Sequence, residues 1–233
     1  KLGSLIQPFT LNAAQGRLSG VFLFNLDRGH GKQIETPFDV HLVEAFKTDR
    51  RIGIGAIKYG KTFGIFNFSK GRLTHVLEVD AQFNLTGHFA SSFDDRFLCA
   101  TAVDYSNPKS NCILIFDPGN FKVIDAIYLS KSDPSLHDCR FLNNSYTLVT
   151  AAGKSLFYVD LSRRSVNKRN IRTSGENNQL RHMAISKSDN LCVQSNKMTG
   201  LDTPDWVYDN AEIITVGKSG FNSLPMRAYE RDL

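Results

Sequence analysis

The stretch GHFASSFDDRFLCATAVDYSNPKSNCILIFDPGN, residues 87–120, opens on His88 and enters a strand of small residues that turns at Asp94-Asp95. A second apolar run follows, then a polar loop, then a third run that stops at Asp117-Pro118-Gly119. Whether this unit recurs decides the fold, because a repeat of fixed period outranks any single motif.

It does recur. VHLVEAFKTDRRIGIGAIKYGKTFGIFNFSKG carries the same order from His41, LHDCRFLNNSYTLVTAAGKSLFYVDLSRR from His137, and RHMAISKSDNLCVQSN from His182. The four histidines are 47, 49 and 45 residues apart. Each precedes a strand, a polar turn (Thr48-Asp49, Asp94-Asp95, Asn143-Asn144, Lys187-Ser188-Asp189) and a second strand. Three units continue with an aromatic-rich third strand and a fourth. In the last unit, WVYDN and AEIITVG are the nearest matches. Short strands at this spacing, with no helical periodicity between them, predict an all-β chain of four-stranded β-propeller blades.

Blade boundaries follow from the repeat: a partial blade at 20–37, full blades at 38–84, 85–131, 132–178 and 179–220, and a stub at 221–233. The expected strands fall at 40–47, 52–58, 63–67, 73–79, 88–93, 96–103, 112–117, 121–129, 137–142, 146–151, 155–160 and 182–186. GVFLFNLDRGHGKQIETP (20–37) has the look of a third and fourth strand without their first two partners. Strand counting therefore predicts an incomplete ring, with a partner chain, a second copy or further sequence covering the open edge.

The bulk numbers exclude more than they select. A net charge of +5 is modest, and the densest basic run, SRRSVNKRNIR (162–172), has no aromatics interleaved for base stacking. It predicts a solvated edge strand and no nucleic-acid surface. No apolar run approaches the ~18 residues needed to cross a bilayer. Cys99, Cys112, Cys139 and Cys192 lie in apolar or small-residue runs without metal-ligand spacing, which predicts buried free thiols. No nucleophile elbow, Walker loop or dinucleotide loop is present.

In GHFASSFDDRFLCATAVDY with ILIFDPGN, LHDCRFLNNSYTLVTAAG with SLFYVDL, and LRHMAISKSDNLCVQSN, the sequence resembles an uncharacterised proteobacterial family of exported, usually seven-bladed β-propellers. Members are often encoded beside imelysin-type iron-acquisition proteins. The resemblance spans most of residues 20–200 and implies a periplasmic location and about two further blades beyond Leu233. The chain departs from the family pattern at Val103, at Leu136 and in lacking a Gly-rich insertion after TAAG. The resemblance brings no reaction with it.

In a propeller the first strand of each blade lines the channel, so residues repeated there form a ring. His41, His88, His137 and His182 are expected near one channel mouth, with Asp104, Tyr105 and the 195–206 segment, while Asp138 and Arg181 flank their histidines. Three roles compete: imidazoles that lock neighbouring blades, imidazoles that hold a small ligand or a metal ion, and imidazoles that act in general acid–base catalysis. The expected function is non-enzymatic binding or scaffolding, with a protein or small ligand on the propeller face. The rival is a metal-dependent propeller hydrolase or lactonase.

Overall fold

The computed structural model describes residues 4–13, 16–107, 110–129, 136–174, 178–197, 212–217 and 220–225. All regular structure among them is β. The chain divides into two compact units, Lys1–Lys131 and Ser132–Leu233.

The first unit holds three sheets. One is β1 (Ser4–Ala13), β2 (Gly16–Asn25) and β3 (His30–Thr36). The next is β4 (Leu42–Ala45), β5 (Ile52–Ala56), β6 (Thr62–Asn67) and β7 (Arg72–Glu78). The third is β8 (Phe83–Ser91), β9 (Leu98–Asp104), β10 (Asn111–Phe116) and β11 (Val123–Tyr128). The second unit holds two more: β12 (Cys139–Phe141), β13 (Thr147–Ala152), β14 (Ser155–Asp160) and β15 (Ser165–Asn170), then β16 (Asn178–Ile185), β17 (Leu191–Lys197), β18 (Glu212–Val216) and β19 (Phe221–Pro225). Every sheet is an antiparallel meander in chain order, the blade unit that the repeat predicts. The described residues make five such sheets, four of four strands and one of three, and not the seven implied by the resemblance.

Two differences from the sequence reading stand out. β1 was not expected, because Pro8 interrupts SLIQPFTLNA and hides a strand that pairs along its whole length with β2. At the other end, AEIITVG supplies β18, β19 falls inside 221–233, and WVYDN lies outside the described residues.

The interior strands have lost period-2 alternation for a plain reason: both faces are covered. Every residue of β9 (LCATAVD) and β10 (NCILIF) is buried. Between the second and third sheets Phe63, Phe89 and Phe116 form an aromatic centre with ring centroids 5.2–5.6 Å apart. Ile54, Leu85, Leu98 and Leu114 complete it. Each such side chain contributes about 1.5–3 kcal/mol by leaving water. Between the first and second sheets Val21, Ile34, Val40 and Phe66 form a smaller core. In the second unit Leu156, Leu180, Met183, Val193 and Ile214 pack together.

The basic run behaves as expected. β15 is an edge strand with almost every side chain in solvent. The cysteine reading needs one correction: Cys99, Cys112 and Cys139 are buried, but Cys192 is exposed. It alternates with the inward Leu191 and Val193, so it faces outward with its neighbours Ala184 and Thr215.

Candidate metal centre

The repeated histidine sits where each first strand departs from regular pairing. In β8 Leu85 faces Ala102 while Phe89 faces Ala100, so Thr86-Gly87-His88 bulge from the ladder. In β16 Leu180 faces Ser195 while Met183 faces Val193, which leaves Arg181-His182 in a bulge. His41 and His137 stand just before β4 and β12, and each donates its backbone N–H to the second strand: His41 to Ala56 O at 2.8 Å and His137 to Ala151 O at 3.0 Å.

In the first unit, Gly87 has φ +101°, and a Cβ there would lie 2.5 Å from Cδ2 of His41. Glycine thus serves both the left-handed backbone and the close approach of the ring. The His41 and His88 rings meet edge to face, with centroids 5.0 Å apart. His41 is half-buried and His88 fully buried.

The second unit brings its pair closer. Nε2 of His137 and Nε2 of His182 are 3.4 Å apart, with the rings at 69°. His137 is buried and His182 exposed, so the pair stands at the boundary with solvent. A carboxylate oxygen of Asp138 lies within 4.8 Å of a ligand nitrogen of His182. Asp138 is fully buried and fixed on all sides. Its Oδ1 accepts from the Cys139 N–H at 2.8 Å, and its Oδ2 accepts from the Met183 N–H at 2.9 Å. The Arg140 guanidinium is 3.6 Å away and balances its charge. The Asp138 carbonyl accepts from Thr150 Oγ1 at 2.8 Å. One residue thereby joins β12, β13 and β16.

The other sequence candidates are used elsewhere. Asp104, at the far end of β9, accepts from Tyr128 Oη at 2.6 Å and from the Ser106 amide and hydroxyl at 2.8 and 2.7 Å. Burial acts to raise its pKa, but these bonds outweigh it and hold the carboxyl below the ordinary value. Tyr128 is pushed up to about 12, first by donating to Asp104 and then by burial. Tyr105 is 72% exposed. Arg181 donates to Gln179 Oε1 at 3.1 Å, a contact within its own strand. Of the 195–206 segment, only 195–197 are described, inside β17.

Sequence reasoning missed Glu212. This fully buried carboxylate accepts from the Ser174 amide at 2.8 Å, from Ser195 Oγ at 3.2 Å and from Ser223 Oγ. The only available signal was a Glu at the head of the apolar strand EIITV.

No family model matches the chain, and no curated protein matches it. Solved structures do. Hydrazine synthase of Kuenenia stuttgartiensis aligns with TM-score 0.65 and 9% identity, over 96% of this chain and 84% of that one. An oligogalacturonate lyase in complex with manganese aligns with TM-score 0.61 and 13% identity, over 96% of this chain and 63% of that one. An oligogalacturonate lyase from Vibrio parahaemolyticus aligns with TM-score 0.57 and 11% identity, over 97% and 73%. Together with the meander sheets, these likenesses establish the β-propeller fold and nothing finer.

Proposed function

We propose that this chain is a metal-binding β-propeller with a binding or scaffolding role, its transition-metal centre built on His137 and His182. The separation of 3.4 Å between the two Nε2 atoms carries the reading. A tetrahedral ion with metal–nitrogen bonds of about 2.0–2.1 Å holds its ligand nitrogens about 3.3–3.4 Å apart. Two imidazole nitrogens at that spacing match the ligand separation of a tetrahedral cation, with the edge at His182 open to solvent. Asp138 places a carboxylate close by, shared with Arg140, and its bonds to Cys139 and Met183 keep it from moving. Imidazole with a neighbouring carboxylate suits zinc, iron or manganese. A periplasmic location and a link to iron acquisition follow from the sequence resemblance and belong to the same proposal. So does association at the edge of β1, which among the described residues pairs on one side only.

A second reading is a metal-dependent propeller hydrolase, lactonase or lyase. The likeness in fold to an oligogalacturonate lyase in complex with manganese favours it. The test for both is metal analysis of chelator-stripped protein reloaded with zinc, manganese or ferrous ions. Binding of roughly one ion per chain, weakened more than about ten-fold by His182→Ala with an unchanged melting temperature, supports the centre. Substoichiometric metal, or unaltered affinity in the variant, overturns it. Turnover of a lactone or an oligogalacturonate by the loaded protein alone would select the second reading.

A further inference from the structure

Away from the histidines, the register of the first sheet builds a different kind of site. Ser4 pairs with Asn25 and Asn25 with His30, while Ile6 pairs with Leu23 and Leu23 with Lys32. Period-2 alternation puts all six on one face, in line with Val21 and Ile34. At one end that face is apolar and buried in the core with Val40 and Phe66. At the other it becomes polar and cationic, and there it borders a groove of about 420 Å³ against the second sheet. Arg50, Arg51 and Phe68 line the facing wall.

The balance of charge in the groove is one-sided. Among the described residues His30, Lys32, Arg50 and Arg51 line it, and no acidic residue does. Arg51 is held from outside by Asp49, with Nε–Oδ1 at 2.7 Å and Nη2–Oδ2 at 2.9 Å. Lys32 reaches the Lys70 carbonyl at 3.3 Å, which fixes its ammonium without neutralising it. Arg50 is exposed and takes part in no ion pair among the described residues.

Blade packing alone does not demand this. The groove of about 400 Å³ between the two sheets of the second unit also has a fourth-strand cation reaching a turn carbonyl, Arg169 to Gly217 at 3.0 Å. There, however, Asp189 lines the wall and accepts from the Asn143 amide at 2.8 Å. Lys168 and Arg169 there face one acid, whereas Lys32, Arg50 and Arg51 face none on their groove's lining, so the larger surplus of positive charge belongs to the groove beside Arg50.

We infer that the groove bordered by Lys32, Arg50 and Arg51 binds a small multivalent oxyanion whose body rests against Phe68. The Arg50 guanidinium fork fits carboxylate or phosphate oxygens two at a time, the Lys32 ammonium adds a fixed point charge, and Arg51, its fork held by Asp49, borders the site. The volume is within the range of small-ligand clefts, roughly 300–1,000 Å³. Phe68 offers a flat apolar wall, its ring resting on Gly53, where a Cβ would meet it at 2.4 Å.

The probes are citrate for carboxylates and inorganic pyrophosphate for phosphates. Each is titrated calorimetrically at low salt into chelator-stripped protein and into the His182→Ala variant, which excludes ligation through bound metal. Saturable binding of either probe is expected, equal in the two proteins and weakened about ten-fold or more by Arg50→Ala. Lys32→Ala should weaken it as well, and circular dichroism should report an unchanged fold for Arg50→Ala. The probe that binds more tightly identifies the oxyanion. The inference is overturned if neither saturates, or if Arg50→Ala leaves affinity unaltered.

Discussion

The carboxylate of Asp95 accepts from the backbone N–H of Lys47 at 2.9 Å and of Thr48 at 2.7 Å, and from Thr48 Oγ1 at 2.5 Å. Asp95 belongs to the β8–β9 turn and its partners to the β4–β5 turn, so one side chain joins two consecutive blades. Asp189 does the same in the second unit, accepting from the Asn143 amide. Both aspartates hold positive φ, 56° and 61°, a conformation that Asp tolerates better than most residues. Asp95→Ala should therefore cost about 1–2 kcal/mol by denaturant titration, through lost bonds and a strained backbone. Asp95→Asn should recover part of it.

The same contact gives the chain an acid sensitivity. Burial acts to raise the Asp95 pKa, but the bonds from Thr48 and Lys47 outweigh it and hold it below 3.8. The buried Glu212 is likewise held below 4.5, where hydrogen bonds from Ser223, Ser174 and Ser195 overcome desolvation. A depressed carboxylate stabilises the fold fully above its unfolded pKa, and that stabilisation is lost as pH falls through the folded value. Melting temperature should be flat with respect to these groups above about pH 5 and should drop steeply below about pH 4. Asp95→Ala should make the drop shallower.

Gly87→Ala should be among the most damaging changes in the first unit. It combines φ +101° with a Cβ placed 2.5 Å from the His41 ring. A cost of about 2–4 kcal/mol is expected in thermal or chemical unfolding. Gly29→Ala has positive φ but open space and should cost about 1 kcal/mol.

Histidines at equivalent places in the repeat should respond differently. His88 is fully buried against His41, so His88→Ala should cost about 2–3 kcal/mol. His182 is exposed, and replacing it by alanine should change stability by less than about 0.5 kcal/mol. Parallel melting curves of the two variants check the contrast.

The blades were legible from the His–strand–turn–strand order, and β14 begins and ends where the sequence predicts, but β8 and β16 start at Phe83 and Asn178, ahead of the expected 88 and 182, so His88 and His182 lie within their strands. β1 was not legible, because the alternation of FTLNA is short and is preceded by Pro8 and the Leu5-Ile6 pair, and its pairing is dictated from outside by β2. The histidines could be chosen from their period, but their geometry could not. The bulges that turn His88 and His182 out of register are departures from pairing, invisible to a pattern that assumes it. Asp104 was a plausible ligand beside Tyr105, until its partner proved to be Tyr128, 24 residues away on another strand.

The outward turn of Cys192 gives the folded chain a single chemical address. The Cys99 thiol is driven well up by burial and Cys112 to about 12, by burial and then by Asp104, so neither presents a thiolate to solvent. Cys139 is buried as well. A maleimide dye offered to the native protein therefore attaches at one point on β17, and a second, third and fourth label would enter only as the sheets come apart. Opening of the third sheet adds two labels, at Cys99 and Cys112, and opening of the fourth adds one, at Cys139, so labelling reports unfolding without any engineered residue.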